Sequence, residues 1–370
     1  MVAPKTTTWP LESHTKAKHE ILKRYLHAWT PILAQGGFRQ ILYVDGFAGP
    51  GRYNGGEEGS PVIALKAALA HSGRITGEML FQFIEKDTDR AAMLEQVIGE
   101  IQKPANFKVR IATGTFEEAT KEILYWCRTK GRALPPTFAF VDPFGWTGIP
   151  FDLIREILSH PSCEVLVNIM YEEINRFLGH PDQEQNLDRL FGTPDWRAVV
   201  QVKGSRERRL AIHALYQKQL SSAARFVRSF EMRNKNDATD YFLFFATKNT
   251  TGLRKMKEAM WSVDQAGEFT FSDATNPDQM HLFGNKPNLA VLRSQIVKQF
   301  SGTQTTVGAV ETFVVEETAF RETHYKSVLK ELERALPPGL VVVDAPAKRK
   351  RGTFADPSFR VRFADLGADR

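Results

Sequence analysis

The chain has 370 residues, about twice the usual size of one domain, so its length predicts two domains. A hydrophobic fraction of 42% and a charged fraction of 25% are ordinary for a folded protein and exclude a mainly disordered or fibrous chain. Against 43 Asp and Glu stand 49 Lys and Arg, a net charge of +6 that permits a polyanionic partner without requiring one.

Only two cysteines occur, Cys127 and Cys163, far apart and in apolar surroundings. That argues against a disulfide scaffold, a thiolate zinc site or an iron–sulfur cluster, and no metal ligand set is expected. The opening MVAPKTTTWPLESHTKAKHE has no apolar core of the kind a secretory signal needs. The longest apolar runs are of strand length, well short of the ~20 residues of a membrane helix. The expectation is a soluble protein of a reducing compartment, cytoplasmic and without a membrane partner.

In chain order, helical spacing of Ile21, Leu22, Tyr25, Leu26, Trp29 and Ile32 predicts a helix from Ser13 to about Leu33. Ile41 to Val44 reads as a buried strand that ends in glycines, and Pro61 to Ala70 as a helix. Met79 to Glu85, Phe107 to Thr113, Thr137 to Asp142 and Glu164 to Met170 are further strands. Helices from Thr88 to Ile101, from Phe116 to Cys127 and from near Pro150 separate them. Five strands alternating with helices predict an α/β fold, a Rossmann-like parallel sheet with helices on both faces. Residues 171–223 are helical and charged and read as an insertion or lid near the strands' C-terminal edges. Ala224 to Met232 and Asp240 to Thr247 look like a terminal antiparallel pair, followed by a helix near Leu253 to Val263.

Breaker-rich sequence at 266–288 suggests a linker between a domain at 1–265 and another at 289–370. The tail reads as helices Leu289 to Phe300, Val307 to Glu316 and Arg321 to Ala335, then strands Leu340 to Val343 and Phe359 to Phe363. Three helices before a hairpin with a basic loop is the order of a winged helix. From residue 281 onward there are 14 Lys and Arg against 10 Asp and Glu, so most of the net charge lies there.

The segment Val44-Asp45-Gly46-Phe47-Ala48-Gly49-Pro50-Gly51 follows a strand and precedes a helix, the context in which glycines let a ligand approach the backbone. It is not the G-x-G-x-x-G of dinucleotide enzymes, and it lacks the Lys-Ser/Thr of a P-loop. About 40 residues on, Glu85 puts a carboxylate at the end of the next strand, where such a group can accept from both hydroxyls of a ribose. The fourth strand ends Asp142-Pro143-Phe144-Gly145-Trp146. An exocyclic amino group is a poor nucleophile because its lone pair is delocalised into the base. The Asp142 carboxylate and the Pro143 carbonyl can orient its N–H bonds and stabilise positive charge on nitrogen. Phe144 or Trp146 can stack on a base taken out of its helix.

These segments resemble S-adenosylmethionine (SAM) methyltransferases. The glycine loop resembles their motif I, and Asp142 to Gly145 resembles motif IV of the amino-methyltransferases, closest to the form seen in tRNA guanine-N2 enzymes. By that likeness Gly46 to Gly51, with Phe47, Ala48 and Gly49, wrap the methionine end of SAM, and Asp45 helps hold its ammonium. Thr113 and Thr115 stand where these enzymes often carry an Asp for the adenine amino group. Neither cysteine is placed for C5-cytosine chemistry.

Taken together, His14-Thr15 with Lys16 or Lys18, the Tyr25/Trp29 helix, YVDGFAGPGRY followed by Gly59 to Pro61, FIEKD, FVDPFG, the Asn168-containing strand and FATKNTTGLRKMKEAMW are similar to the three-Cys-motif partner protein family, TcmP. The likeness covers about the first 265 residues. It implies a methyltransferase-like fold and a partner carrying a three-cysteine, radical-SAM-like motif. In a methyltransferase-like fold the helix start before motif I packs over the SAM carboxylate, so Thr15 and Lys18 are expected to offer it a hydroxyl and a cation, with Arg52, Tyr53 and Tyr171, beside the glycines and the fifth strand, lining the target pocket. In the tail, Lys326 on the third helix and Lys348, Arg349, Lys350 and Arg351 in the wing are suited to nucleic-acid phosphates.

The leading expectation is a SAM-dependent methyltransferase acting on a nucleic-acid base, DNA or RNA, at an exocyclic amine. The alternatives are a non-catalytic nucleic-acid- or protein-binding partner of a three-Cys-motif enzyme, active in DNA repair or modification, and a nuclease or repair factor on the same sheet.

Overall fold

The computed structural model of the protein describes residues 6–264, 269–272, 287–344, 346 and 348–365. The chain forms two compact units, Met1–Ala259 with Thr270–Gln279, and Met260–Phe269 with Met280–Arg370. Most of the expected linker at 266–288 lies outside the described residues.

The elements run in chain order as α1 (Ser13–Gln35), β1 (Gln40–Asp45), α2 (Ser60–Leu69), β2 (Glu78–Glu85), α3 (Thr88–Gly99), β3 (Phe107–Thr113), α4 (Phe116–Thr129), β4 (Thr137–Val141), α5 (Phe151–Ser159) and β5 (Cys163–Ile169). There follow α6 (Tyr171–Phe177), α7 (Glu184–Phe191), α8 (Trp196–Val200), α9 (Ser205–Ser221), β6 (Phe226–Arg233), β7 (Thr239–Thr247), α10 (Thr250–Trp261) and β8 (Thr270–Ser272).

These strands make one sheet in the order β3-β2-β1-β4-β5-β7-β6-β8. The first five are mutually parallel, and β7 enters antiparallel between β5 and β6. The expected Rossmann-like sheet is therefore present. Its order reverses beside β1, where β2 and β4 flank one strand, and that switch point opens a crevice at the C-terminal strand ends. In register, Asp45 sits between Phe83 and Phe140, so the ends of β1, β2 and β4 lie level.

Helices cover both faces, as the alternation of side chains along β7 records. Phe245 meets Tyr25 of α1, while its neighbour Phe244 meets Tyr216 of α9 on the other side. Phe151 of α5 and Phe191 of α7 join Tyr216 in that second layer. Helix α9 buries Ile212, Leu215, Tyr216 and Leu220 and serves as the crossover helix from β5 to β6. The expectation of a lid near the strand ends is corrected for this helix: its apolar face covers the sheet. A polar network lies within the core. Glu164 on β5 accepts from the Tyr25 hydroxyl at 2.5 Å and the Thr247 hydroxyl at 2.6 Å, and burial pushes its carboxyl pKa up.

The second unit contains α11 (Leu289–Phe300), β9 (Gln304–Thr306), α12 (Val307–Glu317), α13 (His324–Arg334), β10 (Leu340–Val342) and β11 (Arg360–Phe363). The strands form an antiparallel sheet in the order β10-β11-β9. Ile296, Val310, Val314, Val328, Leu332, Val361 and Phe363 make its core. This is the winged-helix order, with β9 added between the first two helices. Among the described residues no helix is long and apolar enough to cross a membrane.

Candidate functional site

At the C-terminal ends of β1, β4 and β5 a cavity of about 290 Å³ opens. The glycine loop (Phe47 to Tyr53), the start of α1 (His14, Thr15, Lys18, His19), Asp142-Pro143-Phe144, Asn168 and Tyr241 line it. Of the residues expected from sequence, Thr15, Lys18, Phe47, Ala48, Gly49, Gly51, Arg52, Tyr53, Asp142, Pro143 and Phe144 are therefore gathered at one place. The strand-to-loop turn after β1 brings the glycines there, and β4 ends one residue before Asp142.

Asp142 is engaged on both oxygens. Lys18 Nζ lies 2.7 Å from Oδ1 and 2.6 Å from Oδ2, and Asn168 Nδ2 donates to Oδ1 at 2.8 Å. The same ammonium sits 5.0 Å from the Tyr241 ring centroid. The ion pair is well buried, with its side chains 6% and 18% exposed, so separating it without a replacement leaves an uncompensated charge. Asn168 leaves its Oδ1 buried with no hydrogen-bond partner among the described residues. The cavity is lined by Lys18, Thr15, Asp142 and Asn168, whose charged groups are paired with each other.

Two neighbouring groups are shifted by their surroundings. Burial, with Lys18 close by, pushes the His19 imidazole down to about 4, so it is neutral near pH 7. Burial pushes Asp45 up to about 7 against hydrogen bonds from Ser60, the Phe47 N–H and the Tyr43 hydroxyl. Asp45 lies behind the loop and supports it; Ser60 is the neighbour that reaches the cavity.

The loop's glycines separate into two kinds. A Cβ on Gly46 would stand 2.7 Å from the Phe116 ring, so packing requires that glycine, whereas Gly51 has a left-handed φ of +81° and would also bring a Cβ to 2.9 Å from Leu94. Gly49 has a left-handed φ of +62°, and a Cβ there would meet Trp9 at 3.5 Å, an ordinary contact. Glu85 does not line the cavity. Its oxygens accept from Gly49 N and Asp87 N, each at 2.8 Å, which ties the loop to the end of β2. A carboxylate has about four acceptor positions, so two remain. Thr113 is exposed, and Thr115 caps α4 in a reciprocal box with Glu118. Trp146 packs on Phe177 away from the cavity, and Tyr171 is buried against Phe242, so neither joins the site. Arg52 lines the cavity, with its guanidinium on Glu100 at 3.1 Å.

In the second unit, Lys326, Lys348, Lys350 and Arg351 are exposed. Arg349 is not: it forms a two-pronged pair with Glu333 at 2.6 and 3.0 Å, and both side chains are under a tenth exposed. The expectation that all four adjacent cations face a phosphate is corrected for Arg349, whose charge is spent inside the fold.

The family described as GMT-like wHTH domain matches residues 270–345. No curated protein matches the sequence. Among solved structures, the chain is similar to an O-methyltransferase from Bacillus cereus in complex with SAH, at 15% identity and a TM-score of 0.33, over 61% of this chain and 80% of that one. It is also similar to a putative O-methyltransferase from Klebsiella pneumoniae, at 13% identity and a TM-score of 0.31, over 61% and 80% of the two chains. A putative methyltransferase from Thermoplasma acidophilum gives 11% identity and a TM-score of 0.28, over 64% and 71%. Each is a likeness of fold.

Sequence reasoning missed several residues that meet the cavity. Trp9 lies edge-on to Phe144 and Tyr53 at 5.0 and 5.8 Å, with the Arg90 guanidinium 5.0 Å from its ring. Asn54 N donates to the Trp9 carbonyl at 3.0 Å, which ties this segment across the loop. Nothing periodic in KTTTWPLE marks it; a lone tryptophan among polar residues was the only signal. Asn168 had a better one, a polar residue inside an otherwise apolar strand.

Proposed function

We propose that residues 1–265 transfer a methyl group from S-adenosylmethionine to an exocyclic amino group of a nucleic-acid base, and that residues 289–370 hold the nucleic acid. The observation that carries this reading is the meeting, in one cavity at the sheet's switch point, of Gly49, Lys18, Asn168 and the Asp142-Pro143-Phe144 segment. The likeness to the TcmP family stated above supports it, as does the winged-helix match in the tail.

SAM would supply an electrophilic methyl on a sulfonium. Within the cavity, Lys18 and the Thr15 hydroxyl would hold a carboxylate, Asn168 would accept from an ammonium once a side-chain shift uncovers its Oδ1, and Gly49 leaves the loop side open. Asp142 and the Pro143 carbonyl accept from the two N–H bonds of the target amine and favour the charge that develops on its nitrogen. Phe144 and Tyr53 give the base an aromatic edge. Lys18 has a second task. While it pairs with Asp142 the acceptor is neutralised, and turning toward a ligand carboxylate releases one Asp142 oxygen for the amine.

One observation favours a second reading, a non-catalytic partner of a three-Cys-motif, radical-SAM-like enzyme. Asp142 is already satisfied by Lys18 and Asn168, and a purely structural ion pair needs no ligand. Calorimetry with SAM on the wild type and Gly49→Asp, then methyl incorporation into DNA and tRNA with Asp142→Ala, separates the two. The methyltransferase reading expects heat from the wild type, none from Gly49→Asp, and binding without incorporation from Asp142→Ala. No heat from the wild type rejects it; heat without incorporation by the wild type moves the assignment to the partner role.

A further inference from the structure

We propose that the second unit grips the phosphate backbone of a nucleic-acid duplex, and that Glu333 is the positioning residue that sets the wing for this grip. The proposal rests on the reading above that this unit holds nucleic acid, and it narrows the ligand to the shared chemistry of duplex phosphates.

The exposed side of α13 carries Lys326, Lys330 and Arg334 at intervals of four residues, one row along the helix. At 1.5 Å per residue the row is about 12 Å long, enough to meet several successive backbone phosphates. Of the two acids on the same helix, Glu333 is withdrawn from the row, while Glu331 stays 61% exposed. Glu331 lies 3.5 Å from Arg293 of α11, and Glu333 is buried against Arg349.

Glu333 holds the wing loop at three points. Its carboxylate takes both prongs of Arg349 and the Gly352 N–H at 2.6 Å, and its main-chain carbonyl takes the Arg351 guanidinium. Arg349 also donates to the Thr353 carbonyl at 2.9 Å and lies 4.9 Å from the Phe354 ring centroid. Gly352, at φ +86°, comes so close to α13 that a Cβ would stand 3.0 Å from Lys330 Cγ. The wing turn is therefore seated beside the cationic row. With Arg349 turned inward, its neighbours Lys348 and Lys350 are exposed and have no acidic partner among the described residues. Five cations from two elements make one surface: Lys326, Lys330, Arg334, Lys348 and Lys350. Charge of one sign on a fixed frame fits a polyanion with regular spacing.

The test uses the full chain and fluorescence anisotropy with a labelled 24-base-pair DNA duplex, a scrambled DNA duplex and an RNA duplex of the first sequence. The proposal expects log K to fall with log salt at a slope of about −4.5, or about 500-fold between 50 and 200 mM, because each of five neutralised phosphates adds about 0.9. It expects the scrambled duplex to bind within about threefold. Lys348→Ala/Lys350→Ala should flatten the slope by about 2.

Glu333→Gln decides the positioning role, because charge and geometry predict opposite signs. Removing an acid makes the surface more positive, so charge alone tightens binding. Loss of the loop's anchor weakens it about tenfold and speeds trypsin cleavage after Lys348 and Lys350. Arg349→Lys keeps the net charge and serves if Glu333→Gln does not fold; it too should weaken binding. Retention of either duplex supports the proposal, and the tighter of the two names the source of the phosphates. No retention at 50 mM salt overturns both this inference and the nucleic-acid reading. Tenfold loss on the scrambled duplex overturns backbone recognition alone. Unchanged or tighter binding by both Glu333→Gln and Arg349→Lys overturns the role of Glu333 while leaving the nucleic-acid reading in place.

Discussion

Beside the cavity, two buried groups titrate in opposite senses, and their linkage gives a test of how the loop is supported. Asp45 is pushed up to about 7 by burial, so between about pH 4 and 7 the folded state holds the extra proton and stability falls as pH rises. His19 is pushed down to about 4, so from about pH 6.5 to 4 the unfolded state holds the extra proton and stability falls as pH drops. Over pH 4.5 to 6.5 the two effects oppose each other, each at about 1.4 kcal/mol per pH unit at most. Relative to the wild type, Asp45→Asn should gain up to about 2 kcal/mol of stability across that interval, and His19→Gln should lose a similar amount. Urea unfolding midpoints at pH 4.5 and 6.5 measure both. Parallel curves for all three proteins would show that neither group is held in its uncharged form by the fold.

At the scale of elements, the strand-loop-helix turn after β1 shows which glycines serve packing. Gly46→Ala drives a Cβ into the Phe116 ring and should cost about 1–3 kcal/mol, the usual range for overpacking. Phe116→Leu alone loses buried area, but in the double variant the smaller side chain should recover part of the Gly46→Ala loss. A double-mutant cycle of thermal melts with no coupling between the sites would refute the contact. Long, strongly patterned elements were legible in the sequence. The helix at α1 and strands β1 to β5 follow from apolar periodicity, and the glycine loop and Asp142-Pro143-Phe144 follow from their places at strand ends. Short polar strands were not legible. Gln304–Thr306 has no apolar residue, and Thr270–Ser272 has one, so each is a strand only because a neighbour offers a ladder. Partner choice was equally hidden. Four adjacent cations look alike in sequence, and only the fold turns Arg349 inward to Glu333.

For the molecule as a whole, the +6 net charge is unevenly spread, with most of it in the last quarter of the chain. The cavity's own charges are neutralised in pairs, Lys18 with Asp142 and Arg52 with Glu100. On the proposed function, retention of a polyanion at low salt is assigned to the tail, and recognition of a small zwitterion to the cavity. The two should separate by mutation. Gly49→Asp places a side chain at a left-handed position facing the cavity, so SAM heats should vanish while duplex retention at 50 mM salt stays within about twofold. Lys348→Ala/Lys350→Ala should do the reverse, weakening duplex retention by about tenfold or more at 150 mM salt, since two phosphate contacts are lost. It should leave the SAM binding isotherm unchanged. A tenfold fall in duplex retention for Gly49→Asp, with its melting temperature unchanged, would mean that the strand-end cavity itself carries much of the grip on nucleic acid, and the division of labour between cavity and tail would have to be redrawn.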